Sequence, residues 1–288
     1  MPTLRDIKRR ITAVRNTKQI TKAMKMIATA KLRKSQSRML DMRPYADKMN
    51  SVIASLSSEG ESQHPLITPR QRKTVEIVVI TSDKGLCGAF NSNILKGAVN
   101  FISEHEKEGF NISISAIGKK ASDYFKRRNI TMRKSWTGLS GKIVYSDINE
   151  ISSDIIENYI NEKIDEVFII YNEFKTVMAQ KISVVKLLPM ADIEASGEAE
   201  GMSASFIYEP SREEIFNQLL PKNMEIQVFR AMLESQASEE AARMTAMENA
   251  TKNADEMIDK LTLQYNKARQ ASITEELMDI VGGVEALK

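Results

Sequence analysis

The residues with the means to do chemistry are few in this chain of 288. Asp83-Lys84-Gly85-Leu86-Cys87-Gly88 brings a carboxylate, an ammonium, a thiol and two glycines into six positions. It follows a β-branched run and precedes a helical pattern, which is where phosphate-binding loops are found. The spacing matches neither the Walker nor the dinucleotide pattern. A tight strand-to-helix turn, for which glycine supplies the backbone freedom, accounts for it more simply. The single Cys87 excludes an internal disulfide and a cysteine-rich zinc site, and it reads as a small packing residue. His64 and His105 are the only histidines and lie far apart in sequence. We therefore expect no catalytic residue, no metal and no cofactor.

The elements that would position such residues are marked by where glycine is absent. All 12 glycines fall between Gly60 and Gly201 or at Gly282 and Gly283. Glycine costs about 1 kcal/mol in a helix interior. Residues 1–59 and 211–288 accordingly read as two long helices, which at ~1.5 Å per residue would reach roughly 85 Å and 110 Å. In the first, Leu4, Ile7, Ile11 and Val14 form an apolar stripe that resumes at Ile20, Met24 and Ile27. In the second, Met247, Ala250, Ala254, Met257, Leu261, Gln264, Ala268 and Ala271 repeat at heptad spacing. Ser211 with Glu214 forms a capping box at its start. Pro44 and Pro221 should kink or interrupt the two helices, since proline removes an amide donor.

Residues 60–74, with Gly60, Pro65 and Pro69, read as a mobile linker, and 191–210 as a connecting loop. Between them, residues 75–190 change character. Strand candidates lie at 75–81, 111–117, 167–171 and 181–188, with helical patterns at about 89–107, 119–127 and 147–164. This alternation predicts a Rossmann-like α/β domain with a mainly parallel sheet, attached to a long antiparallel coiled coil of the terminal helices.

Charge is distributed unevenly. Residues 1–48 carry 14 Lys/Arg against 3 Asp/Glu, whereas 212–288 carry 9 against 14. The two helices should attract one another, and the basic excess at Lys18, Lys22, Lys25, Lys31, Arg33 and Lys34 implies an acidic surface elsewhere. No run approaches the 18 apolar residues of a membrane span.

Three separated segments, in this order, resemble one family. They are Ile20-Thr21-Lys22-Ala23-Met24 with Ala30–Ser35, then Thr81–Gly88, then Glu240–Met244 with Tyr265–Leu277. Together they are similar to the gamma subunits of F-type ATP synthases, and the likeness covers essentially the whole chain. The resemblance implies a non-catalytic rotor shaft whose coiled coil turns inside a ring of three alpha and three beta subunits. Its base would join the epsilon subunit and the membrane rotor ring of c subunits. Such a shaft couples ring rotation to ATP synthesis or hydrolysis and regulates ATPase activity and ion flow. It implies no nucleotide in the Asp83–Gly88 turn. The inserted cysteine pair of photosynthetic members is absent here. The N-terminus carries no apolar or transit-like leader, so the expected location is the cytoplasmic face of a bacterial inner membrane, peripheral and held there by the complex.

Site residues carried over by this resemblance fall in three groups. Lys22, Met24 and Lys25 would face the acidic catalytic subunit, and Arg269, Gln270 and Thr274 would make polar contacts higher in the ring. Leu277, Ile280, Val281, Val284 and Leu287 would turn in an apolar sleeve, with Val284 standing where alanine is usual. Tyr208 and Glu209 would approach the rotor ring. Two other classes compete. A nucleic-acid-binding coil would use the basic helix, yet Tyr45 is its only aromatic residue, so stacking platforms are missing. A nucleotide-using α/β enzyme would bind ATP or NAD through residues 75–190, and no such binding is expected.

Overall fold

The computed structural model describes residues 3–58, 64–139, 141, 143–190 and 211–285. Their elements are α1 (Leu4–Ser58), β1 (Thr74–Ile80), α2 (Phe90–Lys107), β2 (Asn111–Ile117), α3 (Lys119–Arg127), β3 (Lys134–Trp136), α4 (Tyr145–Ile160), β4 (Glu166–Phe174), β5 (Gln180–Leu188) and α5 (Arg212–Glu285). The chain divides into two compact units, one of residues 1–28 with 244–288 and one of residues 29–243.

The larger unit is built on a sheet of order β3-β2-β1-β4-β5. The first four strands run parallel and β5 closes the edge antiparallel to β4. β1 is buried from Val75 to Ile80, so both of its faces are covered, as an unbroken apolar run in a parallel sheet requires. Ile94, Ala98 and Ile102 of α2 join that core, as do Ile148, Ile151 and Ile155 of α4. Its remaining wall comes from α5, through Phe216, Leu220, Met224, Val228 and Leu233, and from Met49 and Ile53 of α1. A polar tie pins α4 to the sheet: Arg133 holds the fully buried Glu76 of β1 at 3.1 Å and Asp154 of α4 at 2.7 Å.

Several expectations are revised. The helix runs through Pro44 in α1 and through Pro221 in α5 without interruption. Proline inside a helix costs ~3 kcal/mol. Flanking side chains offset it: Ala46, Met49 and Ile53 beyond Pro44, and Phe216, Leu220 and Met224 around Pro221, are all buried. At ~1.5–3 kcal/mol per buried large side chain, that packing outweighs one lost hydrogen bond. The segment read as a mobile linker is in its described part packed. Leu66 is buried in the core, its carbonyl accepts the Met190 amide at 2.8 Å, and Arg70 donates to the Tyr159 carbonyl at 2.9 Å. β3 was not anticipated, because three residues are too short to show a period of two. At α5 the Ser211 hydroxyl does accept the Glu214 amide, at 3.2 Å.

The smaller unit pairs the first part of α1 with the second half of α5. Lys18 bonds Asp255, the Thr21 and Thr251 hydroxyls meet at 2.8 Å, and Lys25 bonds Glu248 at 2.7 Å. Moving forward along α1 moves backward along α5, so the pair is antiparallel. The seam is not the one the most apolar residues suggest. In α1 the protected positions are Ile7, Ile11, Val14, Lys18, Thr21, Lys25 and Ala28, an unbroken heptad. Thr21 is 8% and Ala28 0% exposed, whereas Ile20 is 60% and Ile27 57% exposed. In α5 the protected series is Met247, Thr251, Ala254, Ile258, Leu261, Tyr265, Ala268 and Ser272. Ala250 is also half-buried, but Met257, Gln264 and Ala271 are exposed. Small residues facing each other let the helices close up, and a strict heptad then carries polar residues into the seam wherever they fall. The larger apolar side chains are left outside.

Candidate functional site

The Asp83–Gly88 turn is held rigidly by its own side chains. Asp83 accepts the Lys119 amide at 2.8 Å, and the Thr81 hydroxyl accepts the Ala121 amide at 2.8 Å. These amides are the unsatisfied donors at the start of α3, the groups that would otherwise hold an anion. The turn thus occupies a helix end that a phosphate would need. Gly118 makes this closeness possible: its φ is +100°, and a Cβ there would lie 2.1 Å from the Thr81 carbonyl oxygen. Asn91 accepts the Ser82 amide at 3.0 Å and donates to the Cys87 sulfur at 3.2 Å. Burial pushes the Cys87 thiol up from its ordinary pKa, with the Ser82 hydroxyl opposing. The arrangement suits packing and makes the thiol a poor nucleophile at neutral pH.

Arg243 of α5 ties this turn to its helix. It binds Glu239 at 2.5 Å and Glu240 at 2.9 Å and donates to the Gly85 carbonyl at 3.5 Å, while Lys31 of α1 lies 3.6 Å from Glu240. Burial raises the pKa of Glu239 and Arg243 opposes that rise; the same carboxylates hold Arg243 firmly charged despite its own burial. Among the described residues no cluster of three or more His, Cys, Asp or Glu side chains is placed to hold a metal ion.

The residues named from sequence for partner contact form two surfaces on the smaller unit. On α1, Lys22 is exposed, Met24 half-buried, and Lys25 half-buried and engaged with Glu248. Much of the Lys25 charge is therefore directed across the seam. What sequence reading assigned to the seam instead extends this surface: Ile20 and Ile27 join the exposed Met26 on the outside of a basic helix. The signal that could have found them is the heptad continued strictly from Ile7 and Ile11, which passes through Thr21 and Ala28.

On α5, Arg269 and Gln270 are exposed, and the exposed Thr274 donates its hydroxyl to the Gln270 carbonyl at 2.9 Å. Continuing the register set by Lys18, Thr21 and Lys25 brings Leu4 opposite about residue 269. Past that point α5 has no partner helix among the described residues. Leu277, Ile280 and Val281 are all exposed, Ile280 to 68%. The two surfaces thus sit on opposite ends of the paired region, separated by some 21 residues or about 30 Å of helix, and do not form one site. The side chains of Val284 and Leu287, and the whole of Tyr208 and Glu209, lie outside the described residues.

A family model described as ATP synthase matches residues 3–287. The chain is 48% identical over 292 aligned positions to a protein of Anaeromyxobacter sp. (strain K) named ATP synthase gamma chain, covering all of both. Among solved structures it is similar to a chain of the Tetrahymena thermophila mitochondrial ATP synthase, in a structure of the central stalk and c-ring. The identity there is 27%, the TM-score 0.60, and the match covers 80% of this chain and 99% of that one. A chain of the Euglena gracilis mitochondrial enzyme shares the fold at TM-score 0.68 and 21% identity, over 99% of this chain and 94% of that one.

Proposed function

Because this chain belongs to the ATP synthase gamma-chain family, a non-catalytic part of the central shaft of the F-type machine, we propose that its antiparallel coil turns within the alpha–beta ring and carries torque there from the c-ring. The observation that carries this reading is the apolar side chains left outside the seam. Ile20, Met26 and Ile27 on one helix, and Leu277, Ile280 and Val281 on the unpaired end of the other, are exposed where a solitary coiled coil would be polar. Side chains of this kind need cover, and a ring of subunits provides it.

In this reading Lys22, Met24 and their neighbours Ile20 and Ile27 meet the acidic face of a beta subunit, with Lys25 contributing what its bond to Glu248 leaves. Arg269, Gln270 and Thr274 meet a beta-subunit loop higher in the ring. Leu277, Ile280, Val281, Val284 and Leu287 turn in the apolar sleeve above it. Tyr208 and Glu209, with the epsilon subunit, sit at the base beside the c-ring. Among the described residues no helix is long and apolar enough to cross a membrane. As part of a membrane complex it is peripheral, and the bacterial form would work on the cytoplasmic face.

Physical chemistry favours the division of labour. The coil seam carries Lys18, Thr21, Lys25 and Thr251 among its apolar residues, and Ile20, Met26 and Ile27 stand outside it, so the two helices register against each other through polar contacts as well as packing. The ring-facing side chains can then slide across successive subunits. The test is ATP hydrolysis by purified alpha and beta subunits with and without this chain, alongside size analysis of the mixture. A stable assembly holding one copy and showing stimulated, cooperative turnover is expected. Absence of association, with the chain folded and helical, would overturn the reading.

A further inference from the structure

The larger unit carries a groove of about 410 Å³ between α2 and α3, which begins beside the Asp83–Gly88 turn, where Asn91 and Lys120 line it, and does not include the coil surfaces discussed above. Its walls hold Lys96 from α2 and Lys120, Arg127 and Arg128 from α3 and its end, against a single carboxylate, Asp123. Two largely buried arginines of this unit find carboxylates: Arg133 has Glu76 and Asp154, and Arg243 has Glu239 and Glu240. The four groove cations form no ion pair with any described residue.

We propose that the α2–α3 groove of this chain is a docking site for an acidic peptide segment of a partner protein. Charge complementarity identifies the occupant, and the spacing of the charges favours a peptide over a single small anion. Lys120 and Arg127 are two helical turns apart, about 10 Å, which an extended chain at ~3.3 Å per residue spans with three to four residues. Lys96 faces them from the other wall, so a run of carboxylates would be met along its length and not at one point. Arg128 is pre-arranged for this, since its guanidinium lies 3.7 Å from the centre of the Tyr124 ring. Stacking holds the plane and leaves the nitrogen fork to bind a carboxylate in pairs. The same stacking covers one face of the aromatic ring, which weakens the case for a nucleobase.

This inference does not depend on the shaft reading, and it is tested on the full chain alone. A fluorescein-labelled tetra-glutamate peptide would be titrated with the protein at low ionic strength and followed by anisotropy. Binding that weakens steeply with added salt is expected. The double variant Lys96→Glu/Arg127→Glu should weaken it at least tenfold, and the milder Lys96→Gln/Arg127→Gln should weaken it less. Circular dichroism would verify that both remain folded. Arg9→Glu/Arg10→Glu on the basic α1 helix should stay within twofold of the parent. No binding by the parent protein, or a loss in the α1 variant as large as in the groove variant, would overturn the proposal. So would inorganic pyrophosphate binding more tightly than the peptide through the same groove residues, which would assign the groove to a small polyanion.

Discussion

The two halves of α5 are built from similar residues and meet different fates. Between Phe216 and Arg243 the helix is sunk against the sheet, and even Glu225, Glu234, Glu239 and Glu240 are buried. Each of these is held by a cation on its own helix or on α1: Lys222, Arg230, Arg243 or Lys31. Between Met244 and Glu285 the same helix pairs with α1 in its first part, and beyond that its apolar residues are exposed among the described residues. Burial in the first half is therefore a matter of fold stability. Exposure in the second is a matter of assembly, because an isolated chain gains nothing from it.

Substitutions can break that contrast, and the largest effect should come from the sheet side. Gly118→Ala forces a side chain into a positive-φ backbone and into the Thr81 carbonyl. A loss of more than about 3 kcal/mol in denaturant unfolding is expected, since strain of about 1–3 kcal/mol is compounded by a clash. A thermal midpoint unchanged from the parent would contradict the tight turn.

Next comes a matched pair on the one helix. Leu233→Ala, in the buried half, should cost about 2–5 kcal/mol of stability. Leu277→Ala, in the exposed half, should change it by less than about 0.5 kcal/mol. Its effect should appear instead in the coupling of ATP hydrolysis to rotation in the assembled enzyme. If Leu277→Ala destabilised the free chain as much as Leu233→Ala, the difference between the halves would collapse.

Smaller effects sharpen the picture at single contacts. Asp83→Ala frees the Lys119 amide at the start of α3 and should cost about 1 kcal/mol, the usual value of a helix cap. Reversing the partially exposed pair one residue at a time, Lys25→Glu or Glu248→Lys, should cost less than about 1 kcal/mol each. The double swap should recover most of that loss in a mutant cycle. Failure to recover would mean that Lys25 spends its charge elsewhere. Last, Cys87 should react with a thiol reagent far more slowly in the folded chain than in urea. Its raised pKa leaves less thiolate at neutral pH, so the folded rate should keep climbing with pH beyond the point where a free thiol levels off.

Much of the architecture was legible in the chain. The strand at Asn111–Ile117 and the helix at Lys119–Arg127 coincide with their sequence patterns, because each is a local period backed by local propensity. Three-residue β3 was invisible, having too little length to show a period. Both prolines misled for a related reason: their cost is local, whereas the burial of Ile53 and Phe216 that offsets it comes from a core assembled from residues distant in sequence. The coil seam misled most instructively. Ranking residues by hydrophobicity selected Ile20 and Ile27, but a heptad is set by geometry, and the geometry passed through Thr21 and Ala28.

By itself the sequence determined that two long, glycine-poor helices flank an α/β region, and that one is basic and the other acidic. These follow from composition and short-range spacing, which need no knowledge of what lies across the fold. Only the tertiary structure decided which face of each helix is turned inward. That choice depends on how closely two backbones approach and on where one helix runs out of partner. At the end of α5 this leaves Ile280 and its neighbours exposed among the described residues.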